Sequence, residues 1–282
     1  MSNFIVRTIT GIFFVAAIVV SFIDPTAMAL LFALVTGLTV WEFTGLVNQR
    51  DGVDTNRMIC TVAGVYFFLA MIGFCSELTP SAVFIPYLIT IIYLFVAELY
   101  AKNPDPISTW AHTMMSQLYI ALPFSMLGVL AFRATPVGTE YVSTIPLSVF
   151  VFLWINDTGA YCCGSRLGRH KLFPRISPGK SWEGSIGGAV FVAAAALLIW
   201  HVTELYGFNE LQLSALQWVG LGLTVTVFGT WGDLVESLFK RTLGIKDSGK
   251  ILPGHGGMLD RFDSSLLALP AAVIYLYTLT LF

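Results

Sequence analysis

Cations, carboxylates and glycines crowd into the stretch from Ser237 to Asp263. It reads Ser237-Leu-Phe-Lys240-Arg241 and then Lys246-Asp-Ser-Gly-Lys-Ile-Leu-Pro-Gly-His255-Gly-Gly-Met-Leu-Asp260-Arg261-Phe-Asp263, set between two strongly apolar runs. A segment this polar cannot face hydrocarbon, so it belongs at a membrane edge, where such residues can handle a phosphate-bearing substrate. A second polar loop, Gly164 to Gly184, carries Arg166, Arg169, His170, Lys171, Arg175, Ser177, Lys180, Ser181 and Glu183. Its Gly179-Lys180-Ser181 has the end of a Walker A motif, but the glycine required five positions earlier is Pro174 and no strand precedes it, so a P-loop is excluded.

Acids recur at matching depth. Asp157 lies about two turns before the end of one apolar run, Asp233 and Glu236 lie near the end of another, and Asp260 and Asp263 open a third. Asp260 and Asp263, three apart, are expected on one face of a helix start. Carboxylates gathered away from bulk water are costly unless compensated, most simply by a divalent cation, and magnesium suits all-oxygen ligands that share its shell with phosphates. Alone, an Asp-x-x-Asp more often caps a helix and complements its dipole. Asp157 and Asp233 at the same level, and Gly254, Gly256 and Gly257 upstream, favour the metal reading. Those glycines are expected to let backbone N–H groups form an anion-binding concavity or a tight turn.

The elements that must hold these residues are membrane helices. Of the 282 residues 56% are hydrophobic and 11% charged, which excludes an ordinary soluble domain. Apolar windows of about 20 residues, enough to cross a bilayer, fall at roughly 4–23, 25–47, 58–75, 80–99, 110–132, 142–163, 185–203, 214–236 and 264–282. The runs are continuous and not alternating, so the expected fold is all-α with about nine transmembrane helices and not a barrel. The first run lacks a small-x-small cleavage site and leads straight into the next, so it reads as a helix and not a signal peptide. With the N-terminus cytoplasmic, all but Arg133 of the 15 Lys and Arg residues fall inside. This bias sets the orientation and puts Phe282 outside.

Net charge is −2 and carries little information. Cys60, Cys75, Cys162 and Cys163 have no metal-ligand spacing, and no disulfide is expected. His112 and His201 are isolated at helix edges, whereas His170 and His255 sit in the two basic loops and are candidates. Residues 1–140, helices one to five, read as a scaffold for lipid access or self-association, so a homodimer is one expectation. Residues 141–282 read as the catalytic region of the same integral unit. Glu42 and Glu98 are read as interfacial side chains that snorkel.

The run Ser-x-x-Lys-Arg-x-x-x-x-Lys-Asp-x-Gly-x-x-x-Pro-Gly-His-Gly-Gly-x-x-Asp-Arg-x-Asp, complete from Ser237 to Asp263, resembles the signature of phosphatidate cytidylyltransferases, also called CDP-diglyceride synthetases. Asn156-Asp-Thr-Gly-Ala-Tyr161, His170-Lys-Leu and Ile176-Ser-Pro-Gly-Lys-Ser-Trp-Glu-Gly184 resemble that family's second block. The resemblance covers roughly residues 154–265; the first five helices agree only in general character. It implies the reaction CTP + phosphatidic acid → CDP-diacylglycerol + pyrophosphate at the cytoplasmic face of a bacterial inner membrane, with no nucleic-acid partner. It also implies Mg²⁺ held by Asp233, Asp260 and Asp263, with Asp157 direct or one shell removed, and allows a second cation such as K⁺. Under it, Lys240, Arg241, Lys246, Lys250 and Arg261 offset the charge of two anionic substrates, and Ser177, Lys180 and Ser181 hold the triphosphate.

Two other classes compete. A transporter predicts charges near the midplane and internal repeats, and neither is present. A different membrane transferase, such as a CDP-alcohol phosphotransferase or a polyprenyl-phosphate sugar transferase, also uses cytoplasmic aspartates and magnesium; the former predicts Asp-Gly-x-x-Ala-Arg followed by Asp-x-x-x-Asp, and neither is present.

Overall fold

The computed structural model describes residues 3–208, 211–249, 251 and 256–281. The chain is an all-α polytopic membrane protein, 75% helical; among the described residues eight helices are long and apolar enough to span a bilayer, and a shorter apolar one lies near the N-terminus. Contacts divide it into two units: residues 1–141 with 242–262, and residues 142–241 with 263–282.

The first unit holds α1 (Asn3–Ser21), α2 (Pro25–Val47), α3 (Arg57–Cys75), α4 (Ile85–Ala101), α5 (Pro106–Met115) and α6 (Leu122–Ala131), the last two joined by a π-helical turn, Ser116–Ala121. Helix starts follow local chemistry. Asp24 caps α2 by accepting from the N–H groups of Thr26 and Ala27, with Pro25 at the first helical position. Asp105 caps α5 through the Ser108 N–H and hydroxyl. Those Ser108 bonds hold the Asp105 carboxyl below its ordinary range, with Arg50 and His112 adding to them. Within α2 the hydroxyls of Thr36, Thr39 and Thr44 bond back to carbonyls four residues earlier, which satisfies them inside an apolar span. On α4 the exposed residues Ile85, Leu88, Ile89 and Ile92 recur at helical spacing, an apolar stripe outward that suits lipid and not water. A short hairpin, β1 (Phe132–Thr135) and β2 (Gly138–Tyr141), follows α6 and pairs Arg133 with Glu140.

The second unit is α7 (Thr144–Leu167), a hairpin of β3 (Lys171–Phe173) and β4 (Ser177–Ser181), α8 (Trp182–Tyr206), α9 (Ala215–Thr242) and, after a one-turn helix α10 (Leu259–Phe262) that belongs to the first unit, α11 (Ser265–Leu281). Helices α7 and α8 meet through glycine. A Cβ on Gly159 would lie 3.1 Å from the Gly188 Cα, one on Gly164 3.4 Å from the Gly184 Cα, and one on Gly188 would collide with the Asn156 side-chain oxygen. Small residues of this kind let two backbones approach as membrane helices require.

Three expectations change. α9 does not stop near residue 236: Leu238 and Phe239 continue its apolar pattern and an i,i+4 pair, Glu236–Lys240, supports the last turns, so Ser237, Lys240 and Arg241 are helical and not loop residues. Asp260 and Asp263 do not share a helix face, because the chain turns at Asp263 and Ser264, where the Ser264 N–H bonds the Asp263 carboxylate. Glu42 and Glu98 are buried and not snorkelling; Glu98 accepts from the Asn103 amide at 2.7 Å. All four cysteines are free thiols.

Candidate active site

In the second unit a half-open cleft of about 530 Å³ gathers Asn156 and Asp157 from α7, Lys180 and Ser181 from β4, and Asp233 from α9. Lys180 Nζ lies 2.5 Å from Asp233 Oδ2, and the Ser237 hydroxyl donates to Asp233 Oδ1 at 3.1 Å. Both oxygens of Asp233 are therefore oriented, one by a cation and one by the residue a helical turn later. The Lys180-bearing loop is fixed at its base: Glu183 accepts from the Arg169 and His170 N–H groups and pairs with the His170 ring at 2.6 Å, while the Trp182 N–H bonds the His170 carbonyl at 2.9 Å. Ser181 is buried and caps α8 by accepting from the Gly184 N–H.

Asp263 is half-buried in the same unit, under the repulsion of Asp233 and Asp157 and the attraction of Lys240. The approach of its backbone to α9 depends on Gly232, where a Cβ would come within 2.7 Å of the Asp263 carbonyl. Lys240 itself is engaged by Glu236 at 2.7 Å, the acid fully buried and the lysine 13% exposed. Among the described residues no three His, Cys, Asp or Glu side chains stand close enough to form a ready metal cage. The donor chemistry still fits magnesium, which takes one or two carboxylates and completes its shell with water and phosphate oxygens.

In the first unit the Gly-rich loop is tied down by carboxylates. Asp260 Oδ2 accepts from the Ser248 and Gly257 N–H groups, each at 2.8 Å. Glu42 Oε2 accepts from the Ser248 hydroxyl at 3.0 Å and the Leu259 N–H at 2.8 Å. Phe262 anchors the segment in an aromatic core, with ring centroids 5.4 Å from Phe14, 6.1 Å from Phe32 and 5.4 Å from Phe124.

Residues 4–279 match the cytidylyltransferase family. The chain belongs to that family. Among its relatives, a phosphatidate cytidylyltransferase of Haemophilus influenzae is 31% identical over 94% of this chain and 95% of that one. One from Staphylococcus haemolyticus is 34% identical over 86% of this chain and 92% of its own. A Staphylococcus aureus phosphatidate cytidylyltransferase is 42% identical, and there the match spans only 62% of either chain.

In this cytidylyltransferase-family chain the predicted residues divide between the units. Asp157, Ser177, Lys180, Ser181, Asp233, Lys240, Arg241 and Asp263 lie in the second, Lys246, Asp260 and Arg261 in the first, and Lys250 and His255 lie outside the described residues. The expected anion concavity is corrected: the N–H groups of Gly257 and Leu259 already bond Asp260 and Glu42, so the protein's own carboxylates occupy that place. Gly254 is outside the described residues. Arg241, Lys246 and Arg261 are exposed. The sequence did not single out Ser237 as the partner of Asp233, although the i,i+4 spacing on a helix signals it. Glu42 carried no such signal, because its partners are more than two hundred residues away.

Proposed function

We propose that this chain transfers the cytidylyl group of CTP to phosphatidic acid, giving CDP-diacylglycerol and pyrophosphate for phospholipid synthesis. The observation that carries the reading is the cleft in which Lys180 meets Asp233 beside Asp157, inside a chain matched to the cytidylyltransferase family over nearly its whole length. The names and coverage of the Haemophilus and Staphylococcus haemolyticus relatives support the lipid substrate. The Lys and Arg bias supports a cleft facing the cytoplasm of a bacterial inner membrane.

A phosphate monoester has its second pKa near about 6, so the lipid headgroup is largely a dianion at neutral pH and needs no strong base to attack. Its oxygen bonds to the α-phosphorus of CTP, the bond from that phosphorus to the bridging oxygen breaks, and pyrophosphate leaves. Lys180 offsets the triphosphate charge, and Ser177 and Ser181 flank it on the same strand. Asp233 and Asp263, with Asp157 direct or one shell removed, would hold Mg²⁺, whose chemistry here is to neutralise charge on the phosphoryl oxygens. Asp260, expected beside them, has Oδ2 engaged by the Ser248 and Gly257 N–H groups, and we assign it to holding the loop. Ser237 keeps Asp233 aimed, and the Glu236–Lys240 pair sets a positive charge near Asp263.

The test uses purified protein in detergent micelles with phosphatidic acid, Mg²⁺ and each nucleoside triphosphate in turn, following pyrophosphate and the lipid product. CTP-dependent CDP-diacylglycerol, lost on chelation, is the expected result. No lipid product with any nucleotide from folded protein would refute the reading.

A further inference from the structure

We propose that Glu42 is a positioning residue for this reaction, clamping the Gly-rich signature loop to α2 at both ends. The inference rests on the cytidylyl-transfer reading above.

Glu42 sits within an apolar helix and is only 6% exposed, an environment in which a carboxylate is costly unless its oxygens are engaged. The groups that engage it come from the loop and not from its own helix: the Ser248 hydroxyl at one end and the Leu259 N–H at the other, 206 and 217 residues away in sequence. Asp260 grips nearly the same two points, accepting from the N–H groups of Ser248 and Gly257. Ser248 thus gives its hydroxyl to one carboxylate and its N–H to the other, and the two acids act as a double latch. Charge-assisted bonds of this kind are stronger and more directional than neutral ones.

The loop glycines match the same geometry. A Cβ on Gly249 or on Gly257 would collide with Glu42 Oε1, and one on Gly256, where φ is +84°, would come within 2.6 Å of Asp260 Oδ2. Glycine at these positions makes room for the latch. Arg57 interacts electrostatically with Glu42 at longer range, its guanidinium lying 3.8 Å over the Trp41 ring and bonding the Trp41 carbonyl. Glu42 and the groups that engage it all belong to the first unit, so its effect on turnover runs through the loop that carries Asp260.

The experiment compares the full-length wild type with Glu42→Ala, Glu42→Gln and Gly257→Ala in detergent, measuring kcat and the KM for CTP, with hydrogen exchange read over residues 243–262. Misplacing groups near the chemistry by an ångström costs up to about a hundredfold, so Glu42→Ala should lower kcat at least ~tenfold. The KM for CTP should stay within about threefold, because the Lys180 cleft is untouched. Glu42→Gln keeps an oxygen acceptor and should recover most of the loss, and exchange over the loop should accelerate in Glu42→Ala. If Glu42→Ala is not monodisperse, Gly257→Ala displaces the carboxylate from the loop side and should lower kcat in the same way. Wild-type kcat in the folded Glu42→Ala protein, or in Gly257→Ala, overturns the inference. Should the wild type make no CDP-diacylglycerol, the functional reading fails by itself. The exchange comparison needs no turnover, and unchanged exchange would then overturn the clamp separately.

Discussion

Replacing Lys180 with Met removes one charge and keeps most of the side-chain stem. In the structure the ammonium sits 2.5 Å from Asp233 with the two side chains 26% and 29% exposed. Exposure of this order places the pair between a surface ion pair and a buried one. Two unit charges at 4 Å in an effective dielectric of 20 interact by about 4 kcal/mol, and partial solvent access reduces that to roughly 2–3 kcal/mol for the triphosphate charge facing the lysine. At about 1.4 kcal/mol per decade the variant should lose roughly 30- to 100-fold in kcat/KM, most of it as a raised KM for CTP. Folding should change little, by ~1 kcal/mol or less, because the pair is not fully buried. The assay is steady-state formation of CDP-diacylglycerol over a CTP series, with thermal unfolding as the control for folding. Lys180→Arg keeps the charge and should retain more activity than Met. A Lys180→Met enzyme with kcat/KM within about twofold of wild type would refute the reasoning, since no group worth 2 kcal/mol can be absent at that cost.

Other substitutions test the remaining parts. Asp263→Asn should abolish turnover while expression and membrane insertion persist, and added EDTA should abolish wild-type turnover in the same assay; wild-type activity in either condition removes metal from the proposal. Asp260→Asn should also reduce turnover sharply, since one carboxylate oxygen holds both Ser248 and Gly257, and loop exchange should rise with it. Gly188→Ala drives a methyl into Asn156 and should cost ~1–3 kcal/mol, read as a lower unfolding temperature in detergent. The Asp105 cap, whose carboxyl is held below its ordinary range, contributes stability that is fully present above the unfolded carboxyl pKa of about 4 and is lost as pH falls through the lower folded value. Asp105→Asn should flatten that acid limb of a pH-stability curve.

The helices were legible because each apolar run is long, continuous and flanked by charge. The Lys180 cleft was legible as chemistry because its residue types are rare in such a chain. What the sequence hid was cooperation at a distance. Helical periodicity past Asp233 was masked by the polar residues Ser237, Lys240 and Arg241, although Leu238 and Phe239 continue the pattern. The Gly-rich loop read as a cradle for a ligand anion because glycine and backbone N–H groups are what such cradles contain. The structure fills that place with Asp260 and Glu42, and no local pattern links Glu42 to Leu259. The hairpins flanking the second unit's first helix are each only a few residues long, too short for alternation to stand out.

The latch between α2 and Leu259 also constrains how the protein is made. A ribosome adding 5–20 residues per second needs roughly 10–40 s to travel the 217 residues from Glu42 to its backbone donor. For nearly all of that interval the early helices carry an acidic side chain whose loop donors, Ser248 and Leu259, do not yet exist. The first unit therefore completes its packing only after the second unit's first three long helices have been made, and its last piece to arrive is the segment that carries the signature. A chain that stops before residue 248 therefore carries an acid inside an apolar helix with neither of these donors, and one that stops between 248 and 259 has only the Ser248 hydroxyl.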